Sequence, residues 1–287
     1  MKKGSILLLL TACIWGMAFV AQSVAMDAIG PWTFTCLRSY IAGLTLTCIL
    51  PLFKKTPCES KMLWKGGIAC GLCLGVASML QQVGVVYTTV GKAGFITALY
   101  VVFVPLISVF LGKKIPKKIG LCVAMSVVGL YFLCMNESIS FSKGDTFVLL
   151  CAVGFAFHIL TIDHFSSKVD GIRMSCIQFY VAGLLCTIPM FVFEKPDLAS
   201  IVQALGPVLY AGILSSGAGY TLQIIGQKDT DPTIASLLMS LESVFAAIGG
   251  FLLLHQVMSV RELIGCALTF GAVLAAQLPV EKLFFRK

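Results

Sequence analysis

The sequence predicts an all-α, polytopic membrane protein: ten transmembrane helices arranged as two inverted five-helix repeats. Three observations carry that expectation. Charge is scarce, the uncharged runs have the length of a bilayer crossing, and the second half of the chain echoes the first at a fixed offset. Of the 287 residues, 58% are hydrophobic and 12% charged, where a soluble domain carries about 25% charged residues. So little charge cannot clothe a water-facing surface. The stretches from Ile119 to Asn136 and from Ala204 to Gly226 hold no charge at all. A helix of about 20 apolar residues crosses roughly 30 Å of hydrocarbon.

Ten such segments follow one another, at 5–25, 31–53, 66–88, 93–112, 119–136, 144–165, 173–193, 204–226, 232–254 and 260–279. The first begins after Lys2 and Lys3, and Leu10-Thr11-Ala12-Cys13 imitates a lipoprotein cleavage box. Its apolar run nonetheless continues through Trp15-Gly16 to Ala25, too long for a signal region alone, so it reads as the first helix. The third segment repeats glycine every four residues at Gly67, Gly71 and Gly75. The eighth does the same with Ala211, Ser215 and Gly219. Such ladders let helix backbones approach. Pro105 falls inside the fourth segment, removes a backbone donor and predicts a kink. The connections are short, the longest being about 54–65, and none could hold a folded domain. Most of the twelve cysteines lie inside the spans. They read as small packing residues, the Cys70/Cys73 pair included, not as a disulfide or metal framework. Asn136-Glu137-Ser138 is a glycosylation sequon in form, but it sits too close to a helix end to make a good acceptor.

The basic residues orient the spans. With a cytoplasmic N-terminus, the inner connections collect nearly all of them, including Lys54, Lys55, Lys61, Lys65, Lys113, Lys114, Lys117 and Lys118. The outer connections keep only Lys92, Lys143, Lys195 and Arg261. That bias predicts a multi-pass protein of the cell membrane with both termini cytoplasmic. It also explains the formal net charge of +8 without nucleic acid as a partner.

A shift of 140 residues lays the second span on the seventh. Cys36, Tyr40, Ala42, Gly43 and Leu44 meet Cys176, Tyr180, Ala182, Gly183 and Leu184, and Trp15-Gly16 meets Phe155-Ala156. The halves are expected at 1–136 and 144–280. Five spans per half is an odd number, so the second half enters the membrane upside down. Inverted repeats are an architecture of secondary transporters, with the substrate near the midplane between the halves.

Two charges interrupt apolar helices: Arg38 in the second span and Glu242 near the centre of the ninth. An ionisable residue at membrane depth is costly and faces a partner, a cavity or an ion path. They either form an ion pair joining the halves or line a transport path, with Glu242 as a candidate proton-exchanging group. The in-span amides and imidazole form a second tier: Gln22, Gln81, Gln82, His158, Gln178, Gln223 and Gln277. Each must face another helix or water. Trp15, Tyr87, Phe95, Tyr100 and Tyr220 are candidate aromatic walls. The site expected from these residues is Glu242, Arg38, Gln82, Gln223, His158, Trp15, Tyr87 and Tyr220. Asp163 and His164 do not share a helical face with His158, so no metal site is expected.

Longer stretches carry a family resemblance. Leu80-Gln81-Gln82-Val83-Gly84, then Tyr87 through Thr97, then Val104-Pro105-Leu106 resemble the first half of an EamA-type transporter of the drug/metabolite transporter superfamily. So do Trp15-Gly16 and Arg38, and so does Ala235 through Phe245 for the second half. The resemblance covers essentially the whole chain. It implies ten helices in two inverted halves, a central cavity, and transport of small organic solutes, often outward. Ser243 stands where the family often has proline, which puts a kink in the ninth helix in doubt. His255-Gln256 stands where Gly-Glu is common.

The function expected is a secondary transporter of a small organic metabolite, amino acid-like, amphipathic or drug-like. It would work by alternating access, as an exporter with proton coupling or exchange. No nucleotide-binding motif is present, and no cofactor is expected. The partners expected are a small-molecule substrate and the bilayer, with a homodimer left open. An intramembrane enzyme or a non-transporting receptor or scaffold is the alternative. The chain offers no HExxH, no GxSxG and no paired intramembrane aspartates to support an enzyme.

Overall fold

The computed structural model describes residues 3–88, 90–134, 142–254 and 258–278. The sequon at Asn136 and the His255-Gln256 pair lie outside them. Among the described residues the protein is helical apart from short connections, without strands. Nine helices among the described residues are long and apolar enough to cross a bilayer. They are α1 (Lys3–Ala25), α2 (Pro31–Leu52), α3 (Ser60–Tyr87), α4 (Lys92–Phe110), α5 (Lys117–Cys134), α6 (Lys143–Ser166), α7 (Gly171–Phe193), α8 (Leu205–Gln227) and α10 (Val260–Gln277). A further, shorter apolar helix, α9, is broken into Pro232–Met239 and Glu242–Leu254. The outer surface is apolar: Leu121, Ile188 and Phe191 are each about two-thirds exposed or more. The interior carries the amides and hydroxyls. That inversion of the soluble pattern is the signature of a lipid-facing surface.

The spans match the sequence expectation closely, with three differences. First, α3 begins at Ser60, six residues early, so part of the expected 54–65 connection is helix. Lys61 and Lys65 sit on that first turn and a half with their charge free to reach the interface.

Second, both α4 and α9 break part-way along their length. In α4, Val90–Ala98 and Tyr100–Phe110 meet at Leu99, where the Leu99 N–H bonds the Ile96 carbonyl in a tighter three-residue turn. Pro105 lies beyond the break. In α9 the Leu241 N–H makes the same turn to the Leu238 carbonyl. No proline is needed there. The Ser236 and Ser240 hydroxyls bond back to the Thr233 and Leu237 carbonyls at 2.8 Å each, an arrangement that bends helices.

Third, residues Tyr210–Tyr220 of α8 wind as a π-helix, where its sequence counterpart α3 stays α-helical. The register of the repeat supplies the reason. Before this segment the halves match at an offset of 140. After it Leu80, Gln81, Gly84, Thr88, Ala93 and Leu99 match Leu222, Gln223, Gly226, Thr230, Ala235 and Leu241, an offset of 142. Two extra residues are absorbed by the wider winding, since π-helices bond i to i+5 and carry more residues per turn.

Contacts between the halves are reciprocal. Tyr40 packs its ring on Gly183 and Tyr180 packs on Gly43, where a Cβ on either glycine would meet ring atoms at 3.1–3.2 Å. The Tyr40 hydroxyl pairs with Thr187 at 3.0 Å and the Tyr180 hydroxyl with Thr47 at 2.9 Å. These pairings run antiparallel along α2 and α7. The small-residue ladder of α3 is used against α7: Gly67, Gly71 and Gly75 seat Ile177, Val181 and Leu185. Two bundles result, α1, α8 and α9 with α2 on one side, and α3, α4 and α6 with α7 on the other, while α5 and α10 pack together.

Candidate functional site

A cavity of about 40 Å³ lies between the two bundles. A single water needs about 10–15 Å³ on the same measure, so in this conformation the space admits a few waters and is closed to a larger solute. Its walls include Trp15, Phe19 and Gln22 from α1, Arg38 from α2, and Gln81 from α3. Thr97 and Tyr100 come from α4, Phe155 and His158 from α6, Ser215, Tyr220 and Gln223 from α8, and Met239 and Glu242 from α9. Several are equivalent positions of the two halves: Trp15 with Phe155, Gln81 with Gln223, and Tyr100 with Glu242.

Local geometry explains how each arrives. Gly16 lets α9 approach α1 so closely that a Cβ there would meet the Glu242 carbonyl at 2.7 Å. Glu242 opens the second segment of α9 directly after its break, which turns its side chain inward. The carboxylate accepts a hydrogen bond from the Tyr100 hydroxyl at 3.1 Å. The Trp15 indole N–H donates to the Ser215 carbonyl at 3.0 Å and the Thr11 hydroxyl to the Gly219 carbonyl at 3.2 Å. Both acceptors belong to the π-helical stretch. Tyr220 is the aromatic centre, with ring centroids 4.6 Å from Trp15 and 5.7 Å from both His158 and Phe179.

Arg38 is only 4% exposed, and so is Glu242. They do not form the ion pair that one sequence reading allowed. Among the described residues no carboxylate lies within 4.0 Å of Arg38. Its guanidinium sits over the Phe34 ring at 5.5 Å. The cation is thus buried, lines the cavity and has no counter-charge within 4.0 Å among the described residues. His158 pairs its Nε2 with Gln178 at 3.1 Å, and Gln178 continues to Ser175 and Ser175 to Thr221. The His158 Nδ1, Gln22 Oε1 and Gln223 Oε1 have no protein partner.

Six of the eight expected site residues therefore converge: Glu242, Arg38, Gln223, His158, Trp15 and Tyr220. Two do not. Gln82 is fully buried but outside the cavity, with both amide atoms unpaired. Its neighbour Gln81 faces the cavity instead and donates to Thr97 at 3.3 Å. Tyr87 is 55% exposed at the end of α3, beneath the Lys143 ammonium at 5.7 Å, so it is a surface ring. Phe95 packs edge-on against Tyr131. Phe155 was missed by its residue type, yet it is the repeat counterpart of Trp15, a signal present in the sequence.

The model of the EamA-like transporter family matches the chain twice, over residues 2–135 and 142–276. A transporter of Archaeoglobus fulgidus, uncharacterized by name, is 30% identical over 95% of this chain and 85% of its own. Protein PecM of Dickeya dadantii is 24% identical over 92% of this chain and 89% of its own. A solved crystal structure superposes with a TM-score of 0.79 over 96% of this chain and 97% of that one; at 19% identity it shows the fold alone. The names of the family and of the Archaeoglobus relative are those of transporters, not enzymes. The chain is a multi-pass membrane transporter and belongs to the EamA-like transporter family.

Proposed function

We propose that the chain is a secondary transporter of a small organic solute bearing an anionic group. The chain is built of two inverted five-helix halves, 1–136 and 144–280, works by alternating access and exports with proton coupling. The Lys/Arg asymmetry supports placement in the cell membrane with both termini cytoplasmic. The observation that carries the reading is Arg38: 4% exposed, facing the central cavity, with no carboxylate within 4.0 Å among the described residues. A cation without a counter-charge at this depth is costly, and a carboxylate or phosphate on the solute would satisfy its planar fork of donors. Trp15, Tyr220 and Phe155 offer flat apolar faces to the rest of the molecule. Glu242 takes the proton-exchanging role, because it is the carboxylate that faces the same cavity. The small volume implies that the bundles part to admit solute, as alternating access requires.

In proteoliposomes, Glu242→Gln should abolish the pH dependence of transport while leaving folding intact. An unchanged pH profile would sink the coupling role.

A further inference from the structure

We infer that Tyr100 is the positioning residue through which proton exchange at Glu242 is tied to movement of the two bundles; this rests on the transport reading above. Tyr100 and Glu242 are the same position in the two halves, 142 residues apart. Each opens the second segment of a broken helix. Each follows a three-residue turn made by equivalent residues, Leu99 and Leu241. Their side chains meet, with the Tyr100 hydroxyl donating to Glu242 Oε1 at 3.1 Å. A contact between equivalent positions straddles the axis that relates the halves.

That location has a mechanical consequence. When two bundles rock about such an axis, off-axis groups exchange proximity to one face of the membrane for the other. A group on the axis is instead uncovered from each face in turn. A proton site that must load from one side and discharge to the other belongs there. Glu242 comes from the α1–α8–α9 bundle and Tyr100 from the α3–α4–α6 bundle, so their hydrogen bond also bridges the moving parts. Tyr100 is 3% exposed. Parting the bundles removes the donor from the Glu242 carboxylate, so the state of that carboxylate and the position of the bundles become linked.

The groups that act electrostatically on or from Glu242 come from several elements: Tyr100 of α4, Cys134 of α5, Cys151 of α6 and Tyr220 of α8. Arg38 and His158 share the cavity, and among the described residues neither forms an ion pair with Glu242 within 4.0 Å. Tyr100 is the group on this list that hydrogen-bonds the carboxylate.

The test compares wild type, Tyr100→Phe, Glu242→Gln and the double variant in proteoliposomes, with two measurements each. One is solute accumulation driven by an imposed pH gradient. The other is solute-for-solute exchange without a gradient, with its KM. Tyr100→Phe should lose gradient-driven accumulation at least about tenfold, and several-fold more than it loses solute-for-solute exchange. The double variant should match Glu242→Gln alone, because a pair acting as a unit is non-additive. The inference is overturned if Tyr100→Phe accumulates solute like wild type, if exchange falls as far as accumulation, or if the two substitutions add. A wild type that exchanges solute but ignores the gradient instead removes proton coupling itself, and Tyr100's role falls with it.

Discussion

Glu194, one residue beyond α7, caps the start of α2 through Thr33: the Thr33 N–H donates to its carboxylate at 2.8 Å and the Thr33 hydroxyl at 2.5 Å. The Trp32 N–H adds a third bond at 2.9 Å. Helix α2 begins at Gly30-Pro31 and has no side-chain cap of its own, so the other half supplies one. At the opposite end of the same helix pair, Asp170 caps α7 through the Arg173 N–H and accepts a hydrogen bond from the Thr56 N–H at 2.9 Å. Two equivalent ends are tied by two acidic residues. Replacing Glu194 by Ala leaves orphan donors at a helix start, which costs about 1–2 kcal/mol. Thermal unfolding in detergent should fall accordingly, with the KM for solute unchanged. An unaltered melting temperature would contradict the capping role.

The fifth helices of the two halves meet backbone to backbone. A Cβ on Gly265 would lie 2.5 Å from the Leu133 nitrogen and 2.6 Å from the Gly129 carbonyl oxygen. Backbone cannot step aside as a side chain can, so Gly265→Ala should force α5 and α10 apart and destabilise by about 1–3 kcal/mol. Gly120, on the same α5 helix, has nothing within 4 Å of its virtual Cβ. Gly120→Ala should instead be neutral or gain up to about 1 kcal/mol from helix propensity. Parallel unfolding curves for the two variants check the contrast.

The aromatic candidates divide by exposure. Tyr87→Phe should leave transport within about twofold of wild type, because its ring lies on the surface near Lys143. Trp15→Phe keeps an aromatic ring but removes the donor to the Ser215 carbonyl, a hydrogen bond worth about 0.5–1.5 kcal/mol. It should lower both stability and transport rate. Equal behaviour of the two variants would contradict the placement of the site.

Much of this was legible in the sequence, and the exceptions have physical causes. Span positions followed from charge and length, since the bilayer imposes both. The 140-residue shift matched Tyr40 with Tyr180 and Gly43 with Gly183, but that each tyrosine packs on the other half's glycine emerged only from the fold. Arg38 and Glu242 stood out through the cost of charge at depth, but whether they paired depended on their positions along α2 and α9, which composition does not encode. Gln81 and Gln82 are adjacent and chemically identical. Which one faces the cavity depends on the rotation of α3, and its glycines pack against α7 in a way that only the fold resolves. The break in α9 was hidden because serines, not a proline, produce it. The π-helix was hidden because a two-residue slip in register is invisible until equivalent residues on both sides of it are matched.

The central claim is that the cavity holds an anionic group of the solute on Arg38. Its most direct test is uptake of a panel of radiolabelled small organic acids, amines and neutral solutes by wild-type, Arg38→Lys and Arg38→Gln proteoliposomes. The account predicts that wild type moves at least one organic anion. Arg38→Gln should lose that flux at least about tenfold, and Arg38→Lys should retain an intermediate part of it, since lysine keeps the charge but not the planar fork. Organic anion flux at the wild-type rate in Arg38→Gln, or wild-type flux confined to amines, would contradict it.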